Sequence, residues 1–307
     1  MAHIILHQYD VSPFSEKVRV VFGIKNLSWS AVDQPVIMPK PELVPLTGGY
    51  RKIPVMQIGA DIYCDTAVIV RELDRRFPDP PLAAGADHGI GHAIAMWADR
   101  ALFMTVVQVI FGSVGETVDE AFKKDRTELM GRPFDTDAMK AIVPPARENL
   151  RAQLGWLDAQ LGGGHDFLLG GAPGLADAAT VHSLTFLRWF LKAPDLAMLD
   201  EFPRLLAWEA RMKAIGHGNR SEMSRADALA VARAATPVTT PRADPHEPNG
   251  LKPGDLVSVM ADDYGRDPIT GELVASSADT ISIRRTDPDL GELCLHFPRT
   301  GFWVMRA

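Results

Sequence analysis

At 307 residues the chain is long enough for about two domains, and 46% hydrophobic with 23% charged residues is ordinary globular composition that excludes wholesale disorder. A net charge of −7 provides no general basic face for nucleic acid or an anionic membrane. Two cysteines, Cys64 and Cys294, cannot build a disulfide framework or a thiolate metal site, so no metal is expected and the compartment reads as reducing and cytoplasmic.

Residues 3–8 open the chain as an apolar strand, with no basic region or signal peptide ahead of it. Ser12-Pro13 then starts a helix carrying Val18, Val21, Phe22 and Leu27, because proline suits the first helical position. A second strand follows at 29–32. After a proline-rich connection, 53–58 and 62–64 read as a hairpin around Gly59-Ala60-Asp61. Asp65-Thr66 caps the next helix. The region 1–81 is therefore a small α/β unit.

The region 88–235 reads as almost wholly helical. Residues 90–114 form one long apolar helix, and 138–161 another, whose start falls after Pro144-Pro145 if the prolines break it. A strongly apolar helix at 175–191 is central, and shorter ones follow at 202–215 and 226–235. The most apolar run, 101–115, is shorter than the ~20 residues of a bilayer span, so no membrane segment is expected. From 250 to 307 the period becomes strand-like, with five short strands punctuated by Asp-Pro and Gly turns. This third region is expected to form a small β-barrel or meander packed beside the helical region. It contains 7 basic against 11 acidic residues from Pro237 onward, which disfavours nucleic acid.

Three local features carry chemistry. Ser12 stands where a strand hands over to a helix amino terminus, whose free N–H groups and dipole favour a thiolate or alkoxide. A plain N-cap is the simplest role for such a serine. Ile53-Pro54 places a proline at a strand start, and a cis bond there would turn the backbone groups of Ile53 toward an extended ligand. Asp65-Thr66 offers a carboxylate and a hydroxyl beside a second helix amino terminus, suited to the amino and carboxylate groups of an amino acid.

Together these residues resemble the soluble glutathione transferases, over about residues 3–215. The family's thiol-activating residue aligns with Ser12, its cis-proline dipeptide with Ile53-Pro54, and its acidic–hydroxyl pair with Asp65-Thr66. Gly170-Gly171-Ala172-Pro173-Gly174-Leu175-Ala176-Asp177 is similar to the turn and capping box before the family's core helix, with Gly174 in place of the hydroxyl residue. The resemblance implies a thioredoxin-like domain followed by an all-helical domain, and it leaves residues 237–307 unaccounted for.

The same resemblance implies glutathione as cosubstrate, an apolar electrophile as second substrate with aryl-ether cleavage as a variant, and a homodimer. Its carboxylate would be held by Lys40, Arg51 or Lys52. Ser12 would donate a hydrogen bond to the glutathione sulfur, lowering a thiol pKa that is ~8.5 when free. Tyr9, three residues earlier, is the rival donor. A non-catalytic scaffold that uses the β region as its partner surface is the alternative. No catalytic constellation marks that region, so its expected role is structural. Cys64 is read as a packing residue, and His88 and His92 as surface histidines rather than zinc ligands.

Overall fold

The computed structural model describes residues 3–83 and 87–307. β1 (Ile5–Gln8) is buried along its whole length, which puts it inside the sheet. The Ser12-capped helix α1 (Pro13–Ile24) buries Val18, Val21 and Phe22 and crosses over to β2 (Ser28–Asp33), parallel to β1. A single turn, α2 (Val44–Thr47), precedes the antiparallel hairpin of β3 (Val55–Ile58) and β4 (Asp61–Cys64), and β3 pairs antiparallel with β1. α3 (Thr66–Arg76) closes this thioredoxin-like unit.

In the helical region, α4 (Asp87–Trp97) and α5 (Phe103–Val114) form one continuous rod interrupted by a π turn over Ala98–Leu102. With the short turn after it, the rod Asp87–Thr117 is long and apolar enough to cross a membrane by length and composition, contrary to the sequence expectation. Here 56% of its most apolar window is buried, and it packs as a core helix against α8 and α9. α6 (Glu120–Met130) was not anticipated, because it buries little and shows no apolar stripe. α7 (Thr136–Ala141) and α8 (Val143–Gln160) divide the expected second helix at Ile142. The two prolines fit inside the first turn of α8, where their missing N–H groups cost nothing. α9 (Leu175–Phe190) is the buried centre, and α10 (Pro203–Ile215) packs across it.

The start of α9 departs from the expected capping arrangement. A Cβ on Gly174 would stand 2.3 Å from the Leu82 carbonyl oxygen, so no hydroxyl residue fits there. The Asp177 carboxylate is nonetheless fully used, accepting from the N–H of Gly174 (2.9 Å), the N–H of Leu168 (2.9 Å) and the Trp208 indole (2.7 Å). It is therefore a knot between the Gly-rich turn, α9 and α10, rather than a weakened cap.

The chain then returns to the sheet. β5 (Asn219–Glu222) pairs parallel with β2, and α11 (Arg225–Arg233) packs Ala228 on Ile5 and Val32. The carboxy-terminal strands β6 (Leu256–Ala261), β7 (Ile269–Ser276), β8 (Thr280–Asp287) and β9 (Gly291–Pro298) form an antiparallel meander, and β10 (Phe302–Arg306) returns to pair with β6. These strands do not sit beside the helical region as a separate packed piece. β9 pairs parallel with β4, giving one ten-stranded sheet in the order β10-β6-β7-β8-β9-β4-β3-β1-β2-β5.

The core is shared in the same way. Val257, Ile281, Ile283, Leu295 and Phe297 bury with Leu43, Leu46, Tyr50 and Ile62, whereas Leu256 and Trp303 are 57% and 47% exposed. A polar latch crosses the β4–β9 seam. His296 Nε2 bonds Asp61 Oδ1 at 3.0 Å and its Nδ1 bonds Ser282 at 2.8 Å, while Asp61 also accepts from the Val238 N–H and the Thr239 hydroxyl. Burial alone would lower the imidazole pKa, but the bond to Asp61 and the neighbouring Cys294 raise it to about 9, which favours the charged imidazolium beside the Asp61 carboxylate at neutral pH.

The Asp177 knot carries a stability prediction. Asp177→Ala leaves three N–H groups without their acceptor, two of them buried, and should lower unfolding free energy by about 3 kcal/mol. Urea titration followed by circular dichroism measures this, and a loss below about 1 kcal/mol would show that water replaces the carboxylate.

Candidate functional site

A cleft of about 710 Å³ lies between the thioredoxin-like unit, the α4–α6 helices and the loops of the carboxy-terminal strands. Every residue that the resemblance put at the glutathione site lines it: Tyr9, Ser12, Lys40, Arg51, Lys52, Ile53, Pro54, Asp65 and Thr66.

Ser12 is buried, and its Oγ accepts from the Ser15 N–H at 3.2 Å. The cap thus exists, and it occupies a lone pair while leaving the hydroxyl proton available to donate. Capping and thiol activation are compatible in one side chain. Tyr9 stands beside it, half-buried. Burial pushes the Tyr9 phenol above its ordinary pKa, with Arg126 and the Ser12 side chain acting in the opposite direction.

The Ile53–Pro54 bond is cis, and Val55 is the first residue of the β3 ladder, so Ile53 lies outside it. Asp65 has φ 97°, a left-handed-side conformation that a non-glycine residue adopts only under constraint. Its carboxylate accepts from the Ala67 N–H at 2.8 Å. Burial raises its pKa, while that N–H, Lys52 and Lys17 oppose the rise.

The three candidate cations differ in what already neutralises them. Arg51 is bonded to Asp125 on α6, and Lys52 Nζ meets Asp263 at 2.9 Å. Lys40 is 5% exposed and donates only to the Arg51 carbonyl, at 3.1 Å. No carboxylate of the described residues forms an ion pair with it. Burial, then the neighbouring Arg126, lower its pKa to about 8, against the pull of Asp125.

Four residues at this site escaped the sequence reading. Lys17 is buried on α1 and donates to Thr66 Oγ1 at 3.1 Å and to Asp99 Oδ2 at 2.5 Å. Asp99 stands in the π turn, and its second oxygen meets His182 Nε2 of α9 at 3.3 Å. A charged residue inside the mostly apolar rod was the available signal for Asp99, whereas Lys17 sits between Glu16 and Arg19 with nothing local to mark it. Arg126 lies on α6 with its guanidinium 4.4 Å over the Phe122 ring. Tyr264 comes from the β6–β7 loop, and no local pattern marked either of these.

The far half of the cleft is apolar. Phe103, Met104, Val107 and Phe111 of the long apolar helix line it, with Phe122, Phe134, Phe186 and Phe190, while Trp97 packs toward Trp156. His88 and His92 stand at the rim, edge to face at 4.8 Å. Cys64 is fully buried, and burial raises its thiol pKa, so it is a packing residue. Among the described residues the one cluster with metal-ligand types is Asp61, Cys294 and His296, and the polar atoms of Asp61 and His296 are already bonded within the seam.

Residues 6–81 match the family model of the glutathione S-transferase amino-terminal domain, and 105–220 match a domain family of unknown function. A GST-like protein from Pseudomonas syringae is 35% identical, with a TM-score of 0.83 and 100% of both chains covered. The chain belongs to the glutathione S-transferase family. FzlA from C. crescentus aligns over 69% of this chain and 88% of its own at 24% identity and TM-score 0.51. A theta class glutathione S-transferase from Xanthomonas axonopodis pv. citri, a structure with glutathione bound, aligns over 69% and 92% at 20% identity and TM-score 0.51. These two share the transferase fold. The P. syringae protein also spans the carboxy-terminal strands, so this extended architecture is common to both chains.

Proposed function

We propose that this transferase-family chain binds glutathione in the thioredoxin-like half of the cleft and activates its thiol for attack on an apolar, aromatic electrophile. The observation that carries the reading is the convergence of Ser12, Ile53-Pro54, Asp65 and Thr66 on one wall, facing a pocket of phenylalanines. Glutathione would lie extended along Ile53. Its γ-glutamyl amine would meet Asp65, and its α-carboxylate the amino terminus of α3 at Thr66, with the Lys17 ammonium behind. Lys40, without a carboxylate of its own, is the cation best suited to the glycine carboxylate.

Ser12 is the favoured donor to sulfur because its oxygen is already fixed by the cap and its proton can point into the cleft. The electrophile would then lose its leaving group as the carbon–sulfur bond forms. Aryl-ether cleavage is one form of this reaction, with an alkoxide or phenoxide leaving. The scaffold alternative draws on the exposed Leu256, Trp303 and Met305 of β6 and β10, and glutathione binding without turnover would favour it.

The test begins at Ser12. Ser12→Ala should return the bound thiol toward its free pKa of ~8.5 and cut turnover on an aryl halide by ~10- to 100-fold at neutral pH, with glutathione affinity within about twofold. Thiolate absorbance titrated against pH reads the shift. An unchanged titration in Ser12→Ala, with a shift in Tyr9→Phe, assigns the role to Tyr9.

Lys40 gives a pH dependence. It must be protonated to hold a carboxylate, so affinity for S-methylglutathione, which has no thiol to titrate, should be full below pH 7 and weaken as pH rises through about 8. Bound anion raises that pKa, so the loss shifts upward at saturating ligand. Lys40→Arg should remove this component from the calorimetric profile; an identical profile in the variant would exclude Lys40.

A homodimer in a reducing cytoplasm completes the reading, supported by family membership and by two free, buried cysteines. Light scattering at micromolar concentration should give about twice the chain mass, and a monomer would remove the dimer from it.

A further inference from the structure

The β6–β7 loop, residues 262–268, leaves the carboxy-terminal sheet and reaches the other elements around the cleft. Asp262 accepts from Arg100 of the π turn at 2.5 Å, and Asp263 from Lys52 at 2.9 Å. The Gly265 N–H donates to the Leu129 carbonyl of α6 at 2.7 Å, and the Asp262 N–H to the Gly301 carbonyl at 3.0 Å. Anchors on four separate segments hold the residue between them. That residue is Tyr264, half-buried, with its ring 4.5 Å beneath the Lys52 ammonium and on the cleft wall.

Its hydroxyl has no hydrogen-bond partner among the described residues. The same cleft is lined by Phe103, Phe111, Phe122 and Phe186, and its donors Arg126, Arg100 and Thr117 are already bonded to Asp125, to Asp262 and to the Val114 carbonyl, which leaves the Tyr264 hydroxyl as an uncommitted donor for a substrate. Burial raises the phenol pKa, followed by the nearby charges of Asp263 and Asp65, so it stays a protonated donor at neutral pH.

We propose that the carboxy-terminal strands supply the outer wall of the electrophile site, and that Tyr264 selects aromatic electrophiles bearing a hydrogen-bond acceptor, such as a nitro or carbonyl oxygen. This rests on the glutathione reading above. It also replaces the purely structural role expected for residues 250–307.

The experiment uses the full chain, calorimetry and three glutathione derivatives: S-methylglutathione, S-benzylglutathione and S-(2,4-dinitrophenyl)glutathione. Tyr264→Phe removes one oxygen, and an unchanged melting temperature confirms the fold. The variant should bind the dinitrophenyl conjugate about five- to twentyfold more weakly, with the other two within about twofold. Asp262→Ala, which releases the loop from Arg100, should weaken both aryl conjugates and spare S-methylglutathione. If S-methylglutathione binds and Tyr264→Phe alters none of the three, the Tyr264 assignment is wrong and the glutathione reading stands. If Tyr264→Phe weakens both aryl conjugates equally, the residue acts by shape and the acceptor selectivity is wrong. A wild-type chain that binds none of the three overturns the glutathione reading, and this proposal with it.

Discussion

A lysine ammonium with 1% of its side chain exposed must be paired, because stripping it of water without compensation costs several kcal/mol. Lys17 meets that demand by joining three elements, donating to Thr66 at the head of α3 and to Asp99 in the π turn of the α4–α5 rod. Asp99 in turn reaches His182 on the central helix α9; burial pushes its pKa up, but Lys17 and His182 outweigh that and leave it lowered, consistent with a charged carboxylate. The ion pair therefore ties the thioredoxin-like unit to the helical region within the apolar core that α1, α3 and α9 share. Asp99 lies within the π turn, where the helix locally changes phase. The same contact fixes Thr66, and with it one end of the proposed glutathione site.

At the other edge of the sheet the constraint is strand pairing. β4 would be an open edge with unpaired N–H and C=O groups were it not for β9. Fewer than sixty residues of meander would be marginal alone, but their apolar face closes over Leu43, Leu46, Tyr50 and Ile62 in a common core. The Asp61–His296 latch then sets the register of the seam, since a shift of one residue would put His296 on the opposite face. Because the meander is rigidly joined there, its β6–β7 loop is delivered to the cleft mouth.

Legibility in the sequence followed the range of the interactions involved. Elements decided locally were readable: the proline-started α1, the β3–β4 hairpin at Gly59, the Asp65 cap and the strand pattern after 255. So were the residues of the proposed glutathione wall, because Ser12, Ile53-Pro54 and Asp65-Thr66 each carry a local signature. What depends on distant partners was not. β5 is a short polar strand that exists by pairing with β2, and α6 has no apolar stripe because it covers the cleft mouth rather than the core. The parallel join of β4 to β9 spans more than 230 positions in the chain, and no pattern in either strand announces it. Gly174 reads as a lost cap until the Leu82 carbonyl beside it is seen.

The charge arrangement in the cleft ties these layers together. Arg51 is answered by Asp125 from α6, and Lys52 by Asp263 from the carboxy-terminal sheet, so each later layer neutralises a cation of the first. Lys40 is left without a carboxylate among the described residues, in a setting where burial and Arg126 already strain its protonation. A buried ammonium under that pressure gains most from an incoming anion, since binding restores the charged form that the protein alone disfavours. The helical and β layers thus do more than enclose the cleft. By satisfying two of the three cations, they leave Lys40, bonded to the Arg51 carbonyl, as the cation free for the proposed glutathione carboxylate, which would give the extended ligand one direction in which to lie.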